Sequence, residues 1–473
     1  MDSKRKKKYL YKFVAFDYLA ALIAWFLFVA FRKIVLWDAL EDPGELLFDS
    51  NMTIGLIVIP IFWLFLYWLG GTYKTILRTS RLGMVGQTLM ISVIGVLVIS
   101  FALLFDLQLQ PFSSQFLSFL FLLGLHFFLA AAFRVAILTG YFKKIRSGII
   151  GFPTLIVGSG KKAVEIYSEL KSQGNPSGNR IVGFIGFNGP KMKKGNGLPP
   201  ELGSLQNVKS IVGEYKIEEV IIALEDDEHE KLPMVILAFS RFNVTINVIP
   251  DIHDFLLGAV KMSSIFGTPL IKVRSELLPP WQQSLKRLMD IVASLFCLVV
   301  LSPVFLFTAI MVKLSSKGTV LYKHERIGLH GKPFMMHKFR SMYVDAEKAG
   351  PQLSSKDDPR ITPWGRFMRK VRLDEIPQFF NVLLGTMSLV GPRPERQFYI
   401  DQIVEKAPHY LLLQKIKPGI TSWGQVKYGY AENVDEMVER LKYDLLYLEN
   451  MSLAVDLKIL IYTFLIIVQG RGK

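Results

Sequence analysis

The chain has one cysteine in 473 residues. Cys297 lies inside an apolar run, so no internal disulfide is possible and the folded parts need no oxidising compartment. The seven histidines are scattered without the close spacing of a zinc site. Acidic residues are in deficit, with 40 Asp and Glu against 56 Lys and Arg and a formal charge of +16. That excess favours phosphate-bearing partners: nucleic acid, anionic lipid headgroups or phosphorylated substrates. There is no internal repeat and no low-complexity tract beyond the basic N-terminus, which argues against solenoids and arrays.

Apolar residues are abundant. They make up 51% of the chain, and the mean hydropathy is +0.33, values of a partly membrane-embedded protein. Membrane attachment favours lipid headgroups and phosphorylated substrates over nucleic acid. Four apolar stretches, at about 10–31, 52–71, 84–105 and 114–138, are each near the ~20 residues that cross a bilayer as helix. The flank Lys4-Arg5-Lys6-Lys7-Lys8 has the charge of a signal peptide, but the run is too long and no clear small-residue cleavage site follows. Asp38, Glu41, Asp42, Glu45 and Asp49 lie between the first two stretches; Lys74, Arg78 and Arg81 follow the second; Asp106 follows the third; Lys143, Lys144 and Arg146 follow the fourth. By the positive-inside rule this alternation puts both ends of a four-span unit, residues 1–146, in the cytoplasm.

Residues 147–250 have the texture of a soluble α/β domain. PTLIVGSGKKAVEIYSEL reads as strand, glycine turn and helix, and EEVIIAL and FNVTINVIP as later strands. Gly158, Gly160 and Ala163 fit a dinucleotide-binding turn, but the acidic residue expected after the second strand is missing, since IVGFIGFNGP runs to Asn188. A Tyr167/Lys171 pair mimics a dehydrogenase dyad but lies in the first helix, away from any nicotinamide. The expectation is a degenerate Rossmann-like, doubly wound domain with a structural or regulatory role.

A linker, 251–280, with Pro269, Pro279 and Pro280, precedes a fifth apolar stretch flanked by Lys286 and Arg287 on one side and Lys313, Lys317 and Lys323 on the other. Basic flanks on both sides require both ends in the cytoplasm, which a re-entrant hairpin satisfies. Ser302-Pro303 sits mid-stretch, where proline removes a helix hydrogen bond and the serine hydroxyl serves a freed carbonyl. The last apolar run, SLAVDLKILIYTFLIIV, carries Asp456 and Lys458 and reads as an interfacial or packed helix.

Between 320 and 430, charged, Gly and Pro residues crowd into three blocks: YKHERIGLHGKPFMMHKFRSM, DDPRITPWGRFMRKVRLDEIPQFFNVLLGTMSLVGPRPE and KPGITSWGQV. Phosphoryl transfer needs a nucleophile in line, a divalent cation and positive groups around phosphate oxygens. Asp374-Glu375, just before Pro377, puts adjacent carboxylates at a helix start, pointing in different directions; a helix cap with complementary charge fits the same pattern. Arg366, Arg369, Lys370 and Arg372 precede the pair, and Lys338 and Arg340 come from the KFRSM block. A charge run also suits a solvated or headgroup-facing surface. Arg369 and Arg340 are the candidates for a diphosphate, because a planar fork matches phosphate oxygens. Gly391-Pro392-Arg393-Pro394 holds an arginine on restricted backbone.

These blocks resemble the bacterial sugar transferase domain, and the whole chain is similar to the large membrane phosphoglycosyl transferases. This sequence departs at Ser422 and Gly424 from a segment that more often reads GITGWAQV. The resemblance implies an α-rich monotopic catalytic domain with a re-entrant helix over 281–473. It implies a bacterial inner-membrane location with the catalytic domain cytoplasmic. It also implies transfer of hexose-1-phosphate from a UDP-hexose to a polyprenyl phosphate with Mg²⁺. Asp374 would then be the nucleophile, Glu375 the metal-supporting carboxylate, and the Arg393 segment a border of the nucleotide. An NAD-linked membrane oxidoreductase and a non-catalytic assembly scaffold are the readings from other classes; the middle domain and first spans offer surface for a homodimer.

The topology is testable. Single cysteines placed beside Lys286 and Lys323, with Cys297 replaced, should both resist an impermeant maleimide applied to intact cells. Labelling of the downstream site from outside would mean a full span.

Overall fold

A computed structural model of the chain describes residues 3–32, 50–76, 79–104, 112–158, 160–172, 178–186, 198–240, 242, 244–249, 271–272, 277–344, 346, 358–429 and 431–469. Two compact units emerge. One comprises Met1–Phe152, Glu169–Arg180 and Pro279–Ser284, the other Pro153–Ser168, Ile181–Leu278 and Leu285–Lys473.

The first unit is built from α1 (Ser3–Phe31), α2 (Ser50–Leu69), the single turn α3 (Thr72–Thr75), α4 (Arg81–Leu104) and α5 (Phe112–Arg146). Three segments are long and apolar enough to span a bilayer, Lys7–Phe31, Arg81–Ala102 and Phe116–Arg146, and Ile54–Leu69 is apolar but shorter. This is a membrane protein. The acidic residues between α1 and α2, together with Arg78, Asp106 and Asn188, lie outside the described residues. Ile57, Leu97, Phe101 and Phe128 are exposed on the helices, as surfaces solvated by lipid are.

Apolar periodicity does not disclose what lies between these helices. The Arg134 guanidinium donates from Nε and Nη2 to the two oxygens of Asp17, each at 2.8 Å, and from Nη1 to Thr88 Oγ1 at 2.9 Å. Tyr73 donates its hydroxyl to the same carboxylate at 2.9 Å, and the Arg134 fork lies 3.6 Å from the Tyr67 ring centroid. Asp17 and Arg134 are fully buried. A single charge in this setting costs several kcal/mol, and a bidentate, hydrogen-bonded pair offsets that cost.

The second unit begins with a six-stranded sheet in the order β3-β2-β1-β4-β5-β6. Its strands are β1 (Phe152–Val157), β2 (Asn179–Gly186), β3 (Glu201–Ser204), β4 (Glu219–Ile222), β5 (Thr245–Val248) and β6 (Ile271–Lys272). β1 pairs in parallel with β4, β2 with β3 and β4 with β5, whereas β6 runs antiparallel to β5. Helices α6 (Lys161–Ser172), α7 (Val208–Glu214) and α8 (Leu232–Ser240) connect the strands. Apart from Phe239 the buried core is aliphatic, including Leu155, Val157, Val220, Ile222 and Val235. Near-continuous apolar strands are what a sheet buried on both faces requires. Most of the expected linker, 251–270 and 273–276, lies outside the described residues.

Two helices follow, α9 (Pro280–Val300) and α10 (Ser302–Ser315), bent by 64° at Leu301. The reason is local: Pro303 occupies the first turn of α10, and Ser302 Oγ donates to the Val299 carbonyl at 2.8 Å. Beyond the bend the chain forms the hairpin β7 (Leu321–Ile327) and β8 (Pro333–Phe339), helices α11 (Pro363–Lys370) and α12 (Gln378–Leu384), and strand β9 (Ser388–Val390). Helix α13 (Gln397–Lys406), strand β10 (Gly419–Thr421), and helices α14 (Trp423–Lys427), α15 (Val434–Glu449) and α16 (Leu453–Val468) complete it. The expected α-rich region thus also holds two small sheets, β7-β8 antiparallel and β9-β10 parallel. In α16, Asp456 and Ile459 are buried whereas Leu457, Ile461, Phe464 and Leu465 are exposed.

Asp17→Asn leaves Arg134 buried without its counter-charge and should destabilise the detergent-solubilised protein by about 3–5 kcal/mol. Exchanging the two residues should recover a substantial part of that loss. An Asp17→Asn thermal midpoint equal to wild type would show that the pair does not hold the helices together.

Candidate active site

Asp374 and Glu375 lie in a tight 3₁₀ turn, Leu373–Glu375, one turn before α12 rather than on its first turn. Arg372, which opens that turn, has φ 58° and ψ 24°. A left-handed conformation costs a non-glycine residue about 1 kcal/mol or more. Arg372 Nη1 donates to Glu375 Oε2 at 3.1 Å, an ion pair available from this backbone position. Upstream, Thr362 caps α11 by accepting the Gly365 N–H at 2.9 Å, and Pro363 occupies the first turn. A Cβ on Gly365 would lie 2.0 Å from the Ser341 carbonyl oxygen, so glycine lets α11 press against the strand exit. Arg369 Nε there donates to Ser341 Oγ at 2.9 Å.

Three elements converge on Glu375. Lys338, from β8, donates to Oε1 at 3.1 Å; Arg372 holds Oε2; and Arg393 Nη1 lies 3.6 Å from Oε1. Arg393 is delivered by backbone packed too closely for side chains. A Cβ on Gly391 would lie 2.3 Å from the Lys417 carbonyl oxygen, and one on Gly419 would lie 2.1 Å from the Gly391 nitrogen. The Gly391 N–H donates to the Thr421 carbonyl and the Gly419 N–H to the Pro392 carbonyl, both at 3.0 Å.

The two carboxylates are 7% and 8% exposed, yet their electrostatics differ. Burial would raise the Glu375 carboxyl, but Lys338, Arg372 and Arg393 outweigh it and hold the group well below the usual carboxylate range. For Asp374, burial and the adjacent Glu375 charge push the carboxyl up, against the pull of Lys338, Arg369 and Arg372. Among the described residues no hydrogen bond or ion pair occupies the Asp374 oxygens. One carboxylate is committed to cations; the other is free to react or bind.

Both line a cavity of about 570 Å³, together with Lys338, Arg340, Arg369 and Arg393. The sequence candidates thus come together, with a qualification for Arg340. Its Nη2 donates to the Ser316 carbonyl at 2.6 Å; Nε and Nη1 are buried without a hydrogen-bond partner among the described residues, Nη1 in the space left by Gly318, where a Cβ would lie 2.0 Å from it. Arg340 therefore caps the end of α10. At the other end of the helix pair, Arg287 donates to the Val382 and Leu383 carbonyls at 2.6 and 2.8 Å, and Lys286 to Val390 at 2.9 Å and to Asp456 at 2.6 Å. The Asp290 carboxylate accepts from Ser388 Oγ and the Leu389 N–H at 3.1 and 3.0 Å. Ser302 and Pro303 form the bend and stand outside the cavity lining.

Sequence reasoning missed part of the wall. Glu395 is held by Arg326 at 3.1 Å and by Arg440 at 2.8 Å, and Arg326 Nε donates to His324 Nε2 at 2.7 Å. Burial, then Arg326 and Lys338, keep His324 neutral, as an acceptor must be. Position next to the Pro-Arg-Pro segment was a signal for Glu395; Arg440, 45 residues further along the chain, gave none.

No group of three or more His, Cys, Asp or Glu among the described residues could hold a metal. Mg²⁺ does not require one, since it takes one or two protein carboxylates and completes its shell with water and substrate phosphates. The pair Asp374 and Glu375 fits that donor set.

The site is a cation-lined cavity with a buried, unequal carboxylate pair, in a chain that also carries several apolar helices. Residues 281–470 match the family model of the bacterial sugar transferases, and residues 69–250 match a CoA-binding domain model. The undecaprenyl-phosphate galactose phosphotransferase of Salmonella typhimurium is 32% identical over 345 residues, 69% of this chain and 70% of that protein. The chain belongs to the bacterial sugar transferase family. The UDP-N-acetylgalactosamine-undecaprenyl-phosphate N-acetylgalactosaminephosphotransferase of Aeromonas hydrophila is 35% identical over 56% of this chain and 62% of its own length. The UDP-glucose:undecaprenyl-phosphate glucose-1-phosphate transferase of Escherichia coli K12 is 34% identical over 55% and 57%. The chain thus spans about three-fifths of the length of these last two relatives.

Two arginines can be separated by experiment. Arg340→Ala removes a charged cap and should cost about 2 kcal/mol of stability, with UDP affinity little changed in the folded fraction. Arg393→Ala should lower the thermal midpoint less than Arg340→Ala, because Lys338 and Arg372 still pair with Glu375, and should weaken UDP binding at least about tenfold. The reverse pattern would make Arg340 the ligand group.

Proposed function

We propose that the chain is a phosphoglycosyl transferase that moves hexose-1-phosphate from a UDP-hexose to undecaprenyl phosphate through a covalent aspartyl-phosphosugar intermediate. The product would initiate exopolysaccharide, capsule or O-antigen synthesis. The observation that carries this reading is the inequality of the carboxylate pair: Glu375 is tied to Lys338, Arg372 and Arg393, while Asp374 faces the same cavity uncommitted. The relatives' names support the donor and acceptor classes.

In the first half-reaction an Asp374 oxygen attacks the phosphorus that bears the sugar. The bond to the bridging oxygen breaks, and UMP leaves with its electron pair. An oxygen of the polyprenyl phosphate then attacks the same phosphorus, the acyl-phosphate bond breaks, and Asp374 returns to its carboxylate as the diphosphate-linked lipid departs. Lys338, Arg369 and Arg393 neutralise the donor's oxygens, and Arg340 holds the helix pair to the strand that carries Lys338. Glu375 would hold Mg²⁺ by giving up part of its contact with Lys338, Arg372 and Arg393, and the ion would supply further positive charge at the diphosphate.

Both ends of the bent helix pair are tied to the same folded core: Lys286, Arg287 and Asp290 at one end, and the Ser316 carbonyl at the other. A straight span would separate its ends by a hydrocarbon core of ~30 Å. The anchoring and the 64° bend support a re-entrant hairpin. They also support an active site on the cytoplasmic side of the inner membrane, where nucleotide sugars are available.

Transfer of label from UDP-glucose, UDP-galactose and UDP-N-acetylgalactosamine to undecaprenyl phosphate tests the activity and selects the sugar. Asp374→Asn should reduce transfer by at least about a thousandfold, and Glu375→Gln should raise the Mg²⁺ concentration needed for half-maximal rate. Near-normal transfer by Asp374→Asn at saturating metal would exclude it as nucleophile.

A further inference from the structure

The transfer reaction does not use the six-stranded sheet domain, whose order places β1 beside β4. In doubly wound sheets the ligand crevice opens beyond the carboxyl ends of the strands where the order reverses, and here those ends are Val157 and Ile222. The glycine turn after β1 leads into α6, a helix of 12 residues that opens with Lys161 and Lys162. In a nucleotide-binding domain the diphosphate would take the first-turn N–H groups at this point, and the glycines would admit it.

Here the space is taken from within the chain. The Glu225 carboxylate, just beyond β4, accepts the Lys162 backbone N–H through Oε1 at 2.9 Å. A Cβ on Gly160 would lie 2.1 Å from the same oxygen, and a Cβ on Gly158 would lie 2.1 Å from the Ala223 carbonyl oxygen. The β4 segment is fixed there, because the Ala223 N–H donates to the Val157 carbonyl at 2.8 Å. Gly158 has φ 131° and needs glycine for its backbone as well. Gly160 shows no such backbone demand; what requires glycine there is the carboxylate itself. The two glycines that suggest a nucleotide turn are thus accounted for by Ala223 and Glu225.

We infer that Glu225 is an intramolecular stand-in for a phosphate group: it occupies the anion position at the start of α6 and closes the sheet domain to diphosphate-bearing ligands such as nucleotides and coenzyme A. A carboxylate has the charge sign and acceptor geometry that a helix start favours. Being tethered, it needs no ligand concentration to stay in place. A diphosphate must displace it and also meet its negative charge.

The experiment uses the full chain in lipid nanodiscs, with ADP and coenzyme A as two probes that share a diphosphate, and inorganic pyrophosphate as the minimal one. The donor UDP-sugar is excluded because it has its own site. Wild type should bind ADP and coenzyme A at least about tenfold more weakly than Glu225→Ala. Glu225→Gln, which keeps an acceptor for the Lys162 N–H but loses the charge, should also gain affinity, and it decides the matter if alanine disturbs the fold. Gain for all three probes assigns the site to diphosphate; gain for only one would make the rest of that molecule the recognised part and overturn the shared-anion reading. Equal affinity in wild type and both variants, or no binding by folded Glu225→Gln, would overturn the inference.

A second readout needs no ligand. Gly160→Ala should lower the thermal midpoint in wild type, where Cβ meets the carboxylate, and should cost much less in Glu225→Ala. The same loss in both backgrounds would show that Gly160 serves something other than Glu225.

Discussion

The region that follows the bent helix pair depends on keeping a buried glutamate ionised. Glu375 can be desolvated only because Lys338, Arg372 and Arg393 surround it, and each of these three comes from a different part of the chain. Lys338 requires the β7-β8 hairpin in register, with Lys338 opposite Tyr322. Arg372 pairs from an unfavourable backbone conformation, and Arg393 requires the side-chain-free contact between Gly391 and Gly419. A defect in any of these would leave a charge unpaired in a cavity wall, which is how one ion cluster specifies the arrangement of several short elements. Among the described residues the same cluster leaves Asp374 without a fixed partner, and the proposed chemistry follows from that asymmetry.

Helices α9 and α10 are coupled to this site by hydrogen bonds to backbone carbonyls. Arg287 caps the end of α12, the helix entered through the Asp374-Glu375 turn, and Arg340 caps the end of α10. Cations at helix C-termini are favoured by the exposed carbonyls and the helix dipole. In the proposed function this arrangement brings a lipid-borne acceptor and a water-soluble donor to one cavity without a span crossing the bilayer. The Asp17–Arg134 pair plays a comparable part in the first unit, where it specifies which faces of the apolar helices meet.

Local features were the legible ones. The bend at Ser302-Pro303 could be read because proline acts on its own helix, and the strand–glycine–helix turn at 153–172 because its signals are adjacent in sequence. The crowded blocks from 320 to 430 brought Lys338, Arg369, Asp374, Glu375 and Arg393 to notice through composition and resemblance, and they do line one cavity. Roles set by distant partners were not legible. Arg340 was expected to meet phosphate because guanidinium geometry suits it; it lines the cavity, and nothing in KFRSM discloses that its Nη2 would also bond the Ser316 carbonyl. Arg440 and Glu395 pair across 45 residues, and Asp17 and Arg134 across 117. Glu225 likewise carries no motif, and its effect on the glycine turn emerges only when the sheet brings β4 beside β1.

In the proposed function Asp374 becomes covalently attached to the sugar phosphate before any lipid reacts. The direct measurement is a rapid-quench assay of purified enzyme with UDP-hexose and Mg²⁺ in the absence of polyprenyl phosphate, following UMP and the intact mass of the protein. The expected result is a burst of UMP no larger than the enzyme concentration and a hexose-phosphate adduct that maps to Asp374. UMP release that always requires the lipid, with no adduct at any time, would contradict it and leave direct attack by the lipid phosphate as the mechanism.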